Sequence, residues 1–151
     1  MRVWNQPPRI KILEALSLQS RNHVKTLTSD SAIINGVNVF FNREQNGICI
    51  EDEESIRKGY IGSEGLCFLM KKGILPYNKK IGELLKDFNW SYYSYNNYAE
   101  GEKAAKKILF EKGIDEKLID AYIDRINSLI RKHSFRIIYP EKKQSKLLAF
   151  E

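Results

Sequence analysis

The sequence predicts an α+β fold in which an N-terminal helix and a small antiparallel sheet precede a helical half of about four helices. Three observations carry this prediction. Apolar residues recur at helical spacing from Ile10 to Leu16, residues 22–51 change to the alternation typical of strands, and helical spacing returns over 60–133. We therefore expect one α+β domain over residues 1–140, sheet-rich over 8–51 and helical over 60–133, followed by a basic tail over 141–151.

The first helix is expected to begin near Pro7-Pro8, because proline is tolerated in a first helical turn, and to continue to about Gln19. Strands rich in β-branched residues follow at 23–28, 32–34, 37–41 and 48–50. Asn35-Gly36 and Asn46-Gly47 are strong hairpin signals, since both positions accept positive φ. These patterns predict an antiparallel sheet of three or four strands.

Each helix in the second half has a start or a stop signal in the sequence. The expected N-caps are Ser63, Asn78 and Asp115, and the expected stops are Gly73 and Gly113. The longest helix follows Asp115 and has a broad apolar face. Residues 135–139 have the composition of a short strand that Pro140 ends.

The composition excludes several classes of protein. The 151 residues are enough to bury a core, and a hydrophobic content of 42% is too high for a disordered chain. No apolar run approaches the roughly 18 residues that cross a bilayer, and the amino terminus lacks the apolar stretch of a secretory signal, so we expect no membrane partner. Cys49 and Cys67 are too few for a disulfide framework, although one bridge is possible.

The net charge of +6 is uneven along the chain: residues 1–50 carry +3, residues 51–100 carry −1 and residues 101–151 carry +4. Between Arg131 and Lys146, six basic residues accompany only Glu141. A basic excess raises the rate of encounter with polyanions such as nucleic acid, but it is equally typical of a solvated, lysine-rich surface. The candidate nucleic-acid contacts in this region are Arg131, Lys132, Arg136, Lys142 and Lys143.

A second candidate lies in residues 90–98, where aromatic residues are dense. Tyr92, Tyr93 and Tyr95 would stack unpaired bases if they were exposed beside the lysines of the following helix. The alternative is that these tyrosines pack the helical half against the sheet with their hydroxyl groups toward solvent.

No motif for phosphate binding, metalloprotease chemistry or paired-cysteine chemistry occurs, and neither His23 nor His133 has a second ligand at metal spacing. We therefore expect no catalytic residue, no metal and no cofactor. The acidic run Glu51–Glu54 follows a strand, and such carboxylates can hold Mg²⁺ for phosphodiester cleavage. A metal-dependent nuclease is thus an alternative, beside the interpretation of the run as a solvated turn.

The segment from Gly59 to Pro76 (GYIGSEGLCFLMKKGILP) resembles a segment of small archaeal proteins of unassigned function, and the resemblance extends loosely over residues 5–130. It implies a cytoplasmic archaeal protein and implies nothing about chemistry.

The tail places Gln144, Leu147 and Phe150 three residues apart, so one 3₁₀ turn would bring all three to the same side. The pattern resembles the PIP box, the peptide by which replication and repair proteins dock on the sliding clamp PCNA. The family usually has a second aromatic residue at the eighth position, where this chain has Glu151. The missing ring should weaken docking by roughly 2–3 kcal/mol.

The PIP-box resemblance implies a non-enzymatic accessory protein of DNA replication or repair, with PCNA as its partner and DNA as a possible second one. Two alternatives stay open besides the nuclease. In the first, the chain is a small nucleic-acid-binding domain with no clamp partner. In the second, Leu147, Leu148 and Phe150 form a last turn that packs on the domain itself.

Overall fold

A five-stranded sheet and six helices make up the part of the chain that the structure describes, residues 2–93 and 97–140 of a computed structural model. The helices are α1 Arg9–Ser20, α2 Glu53–Lys58, α3 Ser63–Lys71, α4 Lys79–Leu84, α5 Tyr98–Glu111 and α6 Glu116–His133, with a 3₁₀ turn at Trp90–Tyr93. The strands are β1 Val24–Thr28, β2 Ser31–Ile34, β3 Val37–Asn42, β4 Gly47–Ile50 and β5 Arg136–Ile137. The predicted α+β architecture is confirmed.

The sheet has the strand order β1-β2-β3-β4-β5, and its first four strands are antiparallel hairpins. Asn35-Gly36 forms the predicted turn, with φ of 50° and 82°. The second hairpin is wider than predicted. Gly47 pairs with Asn42 as part of β4, so residues 43–46 form the loop. The strand predicted over 135–139 is shorter, and it adds a fifth strand that runs parallel to β4.

The inner face of the sheet packs on α3, and α1 packs behind α3 against α4, α5 and α6. Alternate residues of β2 and β3 face this core, which leaves Ile34 and Val39 fully buried. Helix α3 approaches the sheet closely at Gly65, where a Cβ atom would lie 2.5 Å from Cδ1 of Ile50. The apolar residues of α1 are buried on several sides, since the helix contacts α3, α4, α5 and α6.

Two of the three predicted caps are confirmed. Asn78 accepts a hydrogen bond from the amide of Ile81 at 3.0 Å, and Asp115 accepts one from the amide of Lys117 at 3.4 Å. The expectation for Ser63 was wrong, because Gly62 holds the N-cap position and Ser63 is the first helical residue of α3. A local signal thus located the helix start to within one residue.

The two cysteines are separate buried thiols, so no bridge joins Cys49 and Cys67. Burial raises the pKa of the Cys67 thiol to about 12. Among the described residues, no helix combines the length and the apolar character that crossing a bilayer requires.

Candidate nucleic-acid interface

A groove runs along the N-terminal segment, residues 3–9, where this segment lies beside the end of α6 and beside β5. It consists of three adjoining depressions that share Val3, Gln6, Arg131 and Ser134 among their linings. Its polar side chains include Asn5, Gln6, Asn46, Asn127, Arg131 and Arg136. The carboxylates of Asp124 and Glu44 also line it. The groove therefore presents amide, guanidinium and carboxylate groups together.

The N-terminal wall of the groove is held against the sheet by hydrogen bonds from its backbone and from one indole ring. The amide of Trp4 donates to the carbonyl of Phe135 at 2.8 Å, and Nε1 of Trp4 donates to the carbonyl of Ile48 at 2.9 Å. The carbonyl of Arg2 accepts from the amide of Ile137 at 3.0 Å. Since Trp4 is also buried, this wall is anchored to β4 and β5 and is part of the folded domain.

The opposite wall is the turn by which α6 passes into β5. Ser134 ends the helix in the left-handed region, with φ of 49°, and its hydroxyl donates to the carbonyl of Arg131 at 2.9 Å. The side-chain amide of Asn46 donates to the carbonyl of His133 at 2.7 Å, which ties this turn to the loop before β4. Arg131 and Arg136 consequently lie on either side of Ser134 along one groove.

The charges of the groove fall into two groups. Arg131, Lys132 and Arg136 are exposed, and they come from the end of α6 and from β5. Arg9 is half-buried, and it is engaged with carboxylates of α5 and α6: its Nε lies 2.9 Å from Glu102 and its Nη1 3.4 Å from Asp124. Basic residues in a last helical turn also interact favourably with the helix dipole, which gives Arg131 and Lys132 a structural role beside any binding role.

Of the basic residues expected to contact nucleic acid, Arg131 and Arg136 line the groove, and Lys132 is exposed in the same last turn of α6. Several expected residues lie outside the described ones: Tyr95, Lys142, Lys143, Gln144, Leu147 and Phe150. The N-terminal wall was not predicted from the sequence. Nothing local marks Asn5 or Gln6 as neighbours of Arg131, because the pairing that brings them together spans most of the chain.

Tyr92 and Tyr93 of the aromatic segment lie in the 3₁₀ turn that packs on α5, and neither lines the three depressions of the groove. Tyr93 is half-buried and stacks on Phe88, with ring centroids 5.5 Å apart, whereas the side chain of Tyr92 is 72% exposed. Trp90 in the same turn is buried. Packing therefore accounts for Trp90 and Tyr93, and Tyr92 is the described tyrosine of this segment that presents its ring to solvent.

The acidic run at 51–54 is engaged in the fold. Asp52 is the N-cap of α2 and accepts hydrogen bonds from the amide and the hydroxyl of Ser55, at 3.1 and 2.9 Å. Glu54 accepts from the hydroxyl of Tyr98 at 3.0 Å and lies 3.5 Å from the ammonium group of Lys58. Within residues 2–93 and 97–140, no three His, Cys, Asp or Glu side chains are grouped so that they could hold a metal ion.

A second charged region, which we call the Lys11 cluster, comprises Lys11, Glu14, Glu54, Glu64 and Tyr98. The ammonium group of Lys11 lies 3.7 Å from both Glu14 and Glu54, and 5.3 Å from the centre of the Tyr98 ring. The cluster joins α1, α2, α3 and the start of α5. The sequence analysis missed it, although the spacing of Lys11 and Glu14 within an apolar helix was a signal for a buried pair.

The environment moves the pKa values of this cluster in opposite directions. Burial disfavours the charge of Lys11, but Glu14, Tyr98 and Glu54 outweigh burial and raise the pKa of Lys11. Burial raises the pKa of Glu14 against the opposing effect of Lys11, and it raises the pKa of Glu64. Burial also acts on Glu54, but the hydrogen bond from Tyr98 and the charge of Lys11 lower its pKa.

One family model matches the chain: that of the family described as Uncharacterised conserved protein UCP014422 matches residues 4–136. The match includes the whole Lys11 cluster and every lining residue of the groove except Val3. No curated protein and no solved structure matches the chain.

Proposed function

We propose that this chain, which belongs to the family described as Uncharacterised conserved protein UCP014422, is an accessory protein of DNA replication or repair in the cytoplasm of an archaeal cell. In this proposal the groove binds the phosphate backbone of nucleic acid, and the tail docks on the sliding clamp PCNA. The cytoplasmic, archaeal setting is supported by the resemblance carried by residues 59–76.

The observation that carries the nucleic-acid part is the placement of Arg131 and Arg136 along one groove, from two different elements. Guanidinium groups are good partners for phosphate oxygens, and side-chain amides such as those of Asn5 and Gln6 commonly add contacts to phosphate and sugar. Such contacts position a protein on nucleic acid without reading its sequence. The geometry therefore supports binding that depends mainly on contacts with the sugar-phosphate backbone of the nucleic acid.

Two features of the tail support docking on the clamp: its sequence motif, and its position in the chain directly after the groove residue Arg136 and Pro140. Arg136 lines the groove, and the described chain ends at Pro140, four residues later. Lys142 lies six positions after Arg136 along the chain. A segment of that length spans at most about 20 Å. A tail bound to the clamp would thus hold the groove close to it and raise the effective concentration of the groove near DNA there.

The nuclease alternative has less support, because the carboxylates of Asp52 and Glu54 have other partners. Asp52 holds the start of α2, and Glu54 is bonded to Tyr98. A substitution of Asp52 by alanine is expected to weaken this helix start. We therefore do not assign a phosphodiester-cleaving reaction to the chain.

The groove is tested by fluorescence anisotropy of labelled single-stranded and duplex DNA over a range of salt concentrations. The double variant Arg131→Ala/Arg136→Ala should bind at least tenfold more weakly, and the slope of log K against log salt should fall by about 1.4 to 1.8. The matched control is Lys117→Ala/Arg125→Ala, which removes two exposed positive charges from another part of α6. Equal losses in both double variants would show that net charge, and not the groove, is responsible.

The clamp contact is tested by calorimetry of a peptide of residues 138–151 with PCNA. Phe150→Ala is expected to abolish binding, and Leu148→Ala, outside the three defining positions, is expected to retain it. Absence of peptide binding would remove the clamp from the proposal. If the full chain still bound DNA through Arg131 and Arg136, it would be a nucleic-acid-binding domain without a clamp partner.

A further inference from the structure

Strand β1 is an open edge of the sheet. Among the described strands, β2 alone pairs with it. The amide of Asn35 donates to the carbonyl of His23 at 2.9 Å, at the pair of residues that precedes β1. An antiparallel strand directs the backbone groups of alternate residues to its neighbour, so Lys25 continues toward β2, and Val24 and Thr26 direct their amide and carbonyl groups to the open edge. Such an edge is a template for one more strand.

A cleft lies beside this edge, on the side of the sheet that α3 covers over the other strands. Thr26 is paired with Ala32, whose side chain is buried in the core, so both residues lie on the α3 side. Helix α3 packs over β2, β3 and β4, and Thr26 remains exposed. Since Ala32 and Phe68 are buried, the cleft has an apolar base and a polar rim. Its lining residues are Thr26, Thr28, Ser29, Ser31, Ala32, Phe68, Lys71 and Lys72.

Hydrogen bonds hold the rim of the cleft in place. The ammonium group of Lys72 donates to the carbonyl of Ser29 and, at 3.1 Å, to the carboxylate of Asp30, which ties the end of α3 to the turn between β1 and β2. The hydroxyl groups of Thr28 and Ser31 are bonded to each other at 2.7 Å. The cleft is therefore preorganised, which lowers the cost of binding a partner there.

The charge around the cleft is positive. Among the described residues, its lining includes Lys71 and Lys72 and no acidic residue. The carboxylate of Asp30 is already bound by Lys72 at 3.1 Å and by Arg43 at 3.0 Å. Lys71 is exposed at the end of α3, and Lys25 is exposed on β1. These charges favour an acidic partner, and they disfavour β1 of a second copy, because that pairing would bring like charges together.

We propose that β1 and this cleft bind an acidic peptide segment of a partner protein, which adds to the sheet as an extended strand. In this binding mode, main-chain hydrogen bonds supply affinity, and pockets for alternate side chains supply specificity. An apolar side chain of the peptide enters the cleft over Phe68, and acidic side chains lie near Lys25 and Lys71. The cleft shares no lining residue with the groove, so this proposal does not depend on nucleic-acid binding.

The strand addition is tested by hydrogen exchange of the full chain, followed by NMR. The probe is a mixture of short peptides in which glutamate fills half of the positions at random and valine, leucine and threonine fill the rest. In large excess of the mixture, exchange of the amides of Val24 and Thr26 should slow by about tenfold or more, because both amides gain acceptors. A matched mixture with lysine in place of glutamate should leave them unchanged. Equal slowing by both mixtures, or no slowing by the glutamate mixture, would overturn the proposal.

Charge reversal separates the cleft from the net charge of the chain. Lys71→Glu should weaken binding of the glutamate mixture by about tenfold, because it places like charges beside each other at the rim. The matched control is Lys80→Glu, which makes the same change in net charge at an exposed position of α4 and should leave the affinity unchanged. Equal losses in both variants would show that net charge is responsible and would overturn the proposal.

Two other occupants are outcomes of the same exchange measurement. Slowing at Val24 and Thr26 that grows with protein concentration, without any peptide, would assign the edge to a second copy of the chain. Slowing by a short single-stranded DNA, and not by the glutamate mixture, would assign it to nucleic acid. Either result would overturn the proposal and would leave the test of Arg131 and Arg136 in the groove unaffected.

Discussion

The Lys11 cluster and the groove use similar charged groups in opposite surroundings. In the cluster, one ammonium group is 16% exposed and lies between two carboxylates. In the groove, Arg131 and Arg136 are exposed, and the lining beside them contains side-chain amides together with the carboxylates of Asp124 and Glu44. Burial makes the partners of a charge necessary for folding, because an unpaired charge inside a protein is costly, whereas an exposed charge is hydrated and its ion pairs contribute little to stability.

This difference suggests that the two regions can be separated by substitution. Changes in the Lys11 cluster should alter the free energy of unfolding and leave the salt dependence of nucleic-acid binding unchanged. Changes in the groove should alter the salt dependence of nucleic-acid binding and leave the free energy of unfolding nearly unchanged. A variant that moved both quantities would break the distinction.

The largest effect is expected for Lys11→Met, which keeps the aliphatic stem and removes the charge. Glu14 and Glu54 would lose their shared cation, and the free energy of unfolding should fall by about 3 kcal/mol at pH 7. The deficit should shrink toward pH 4, because the carboxyl groups then take up protons. Urea unfolding at pH 7 and at pH 4 measures this loss in the free energy of unfolding, and Lys103→Met, at an exposed position, is the control. An equal loss in the control would show that the cluster contributes nothing specific.

Tyr98→Phe should have the next largest effect, since it removes the hydroxyl that donates to Glu54 at 3.0 Å. A hydrogen bond to a charged group contributes about 1.5–3 kcal/mol. The pKa of Glu54 is lowered in the fold, so its contribution to stability is present above its ordinary pKa and is lost as the pH falls. The difference between Tyr98→Phe and the unmodified chain should therefore be greatest near pH 7 and should diminish in acid. A difference that did not depend on pH would indicate lost packing instead.

The elements that were predicted correctly are those whose signals are local. Asn35-Gly36 determines its hairpin through the backbone of two residues, and Asn78 and Asp115 cap helices through bonds to amides two or three residues away. The short helix α2 was not predicted, although Asp52 caps it, because the acidic run 51–54, whose last two residues begin this helix, was interpreted as a solvated turn or as metal ligands.

The features that the sequence analysis missed depend on contacts between distant residues. The parallel pairing of β5 with β4 joins Arg136 to Gly47, and the N-terminal wall of the groove joins Trp4 to Phe135. The basic residues of the groove were found because charge density is visible in a sequence. Their amide neighbours were not found, because asparagine and glutamine carry no signal until the fold brings them together.

Glu64→Gln is expected to have a smaller effect of the opposite sign. Burial raises the pKa of Glu64 in the fold, so the stability that this group contributes is full below its ordinary pKa and is lost as the pH rises through the raised value. The amide mimics the protonated carboxyl group. At pH 8 the variant should therefore be more stable than the unmodified chain by an amount of the order of 1 kcal/mol, and at pH 4 the two should have similar stability. Thermal unfolding at both pH values measures this, with the exposed Glu111→Gln as control.

The smallest change in stability is expected for Arg131→Ala/Arg136→Ala. Both side chains are exposed, and surface substitutions usually alter the free energy of unfolding by less than about 0.5 kcal/mol each. The same variant should lose at least a factor of ten in DNA affinity. Lys11→Met, assayed at a temperature where it is fully folded, should bind DNA with an unchanged slope of log K against log salt. Urea unfolding and anisotropy on the same samples measure both quantities. If the double arginine variant lost as much stability as Lys11→Met, the two arginines would serve mainly to secure the end of α6, and the groove would lose the residues on which its binding role depends.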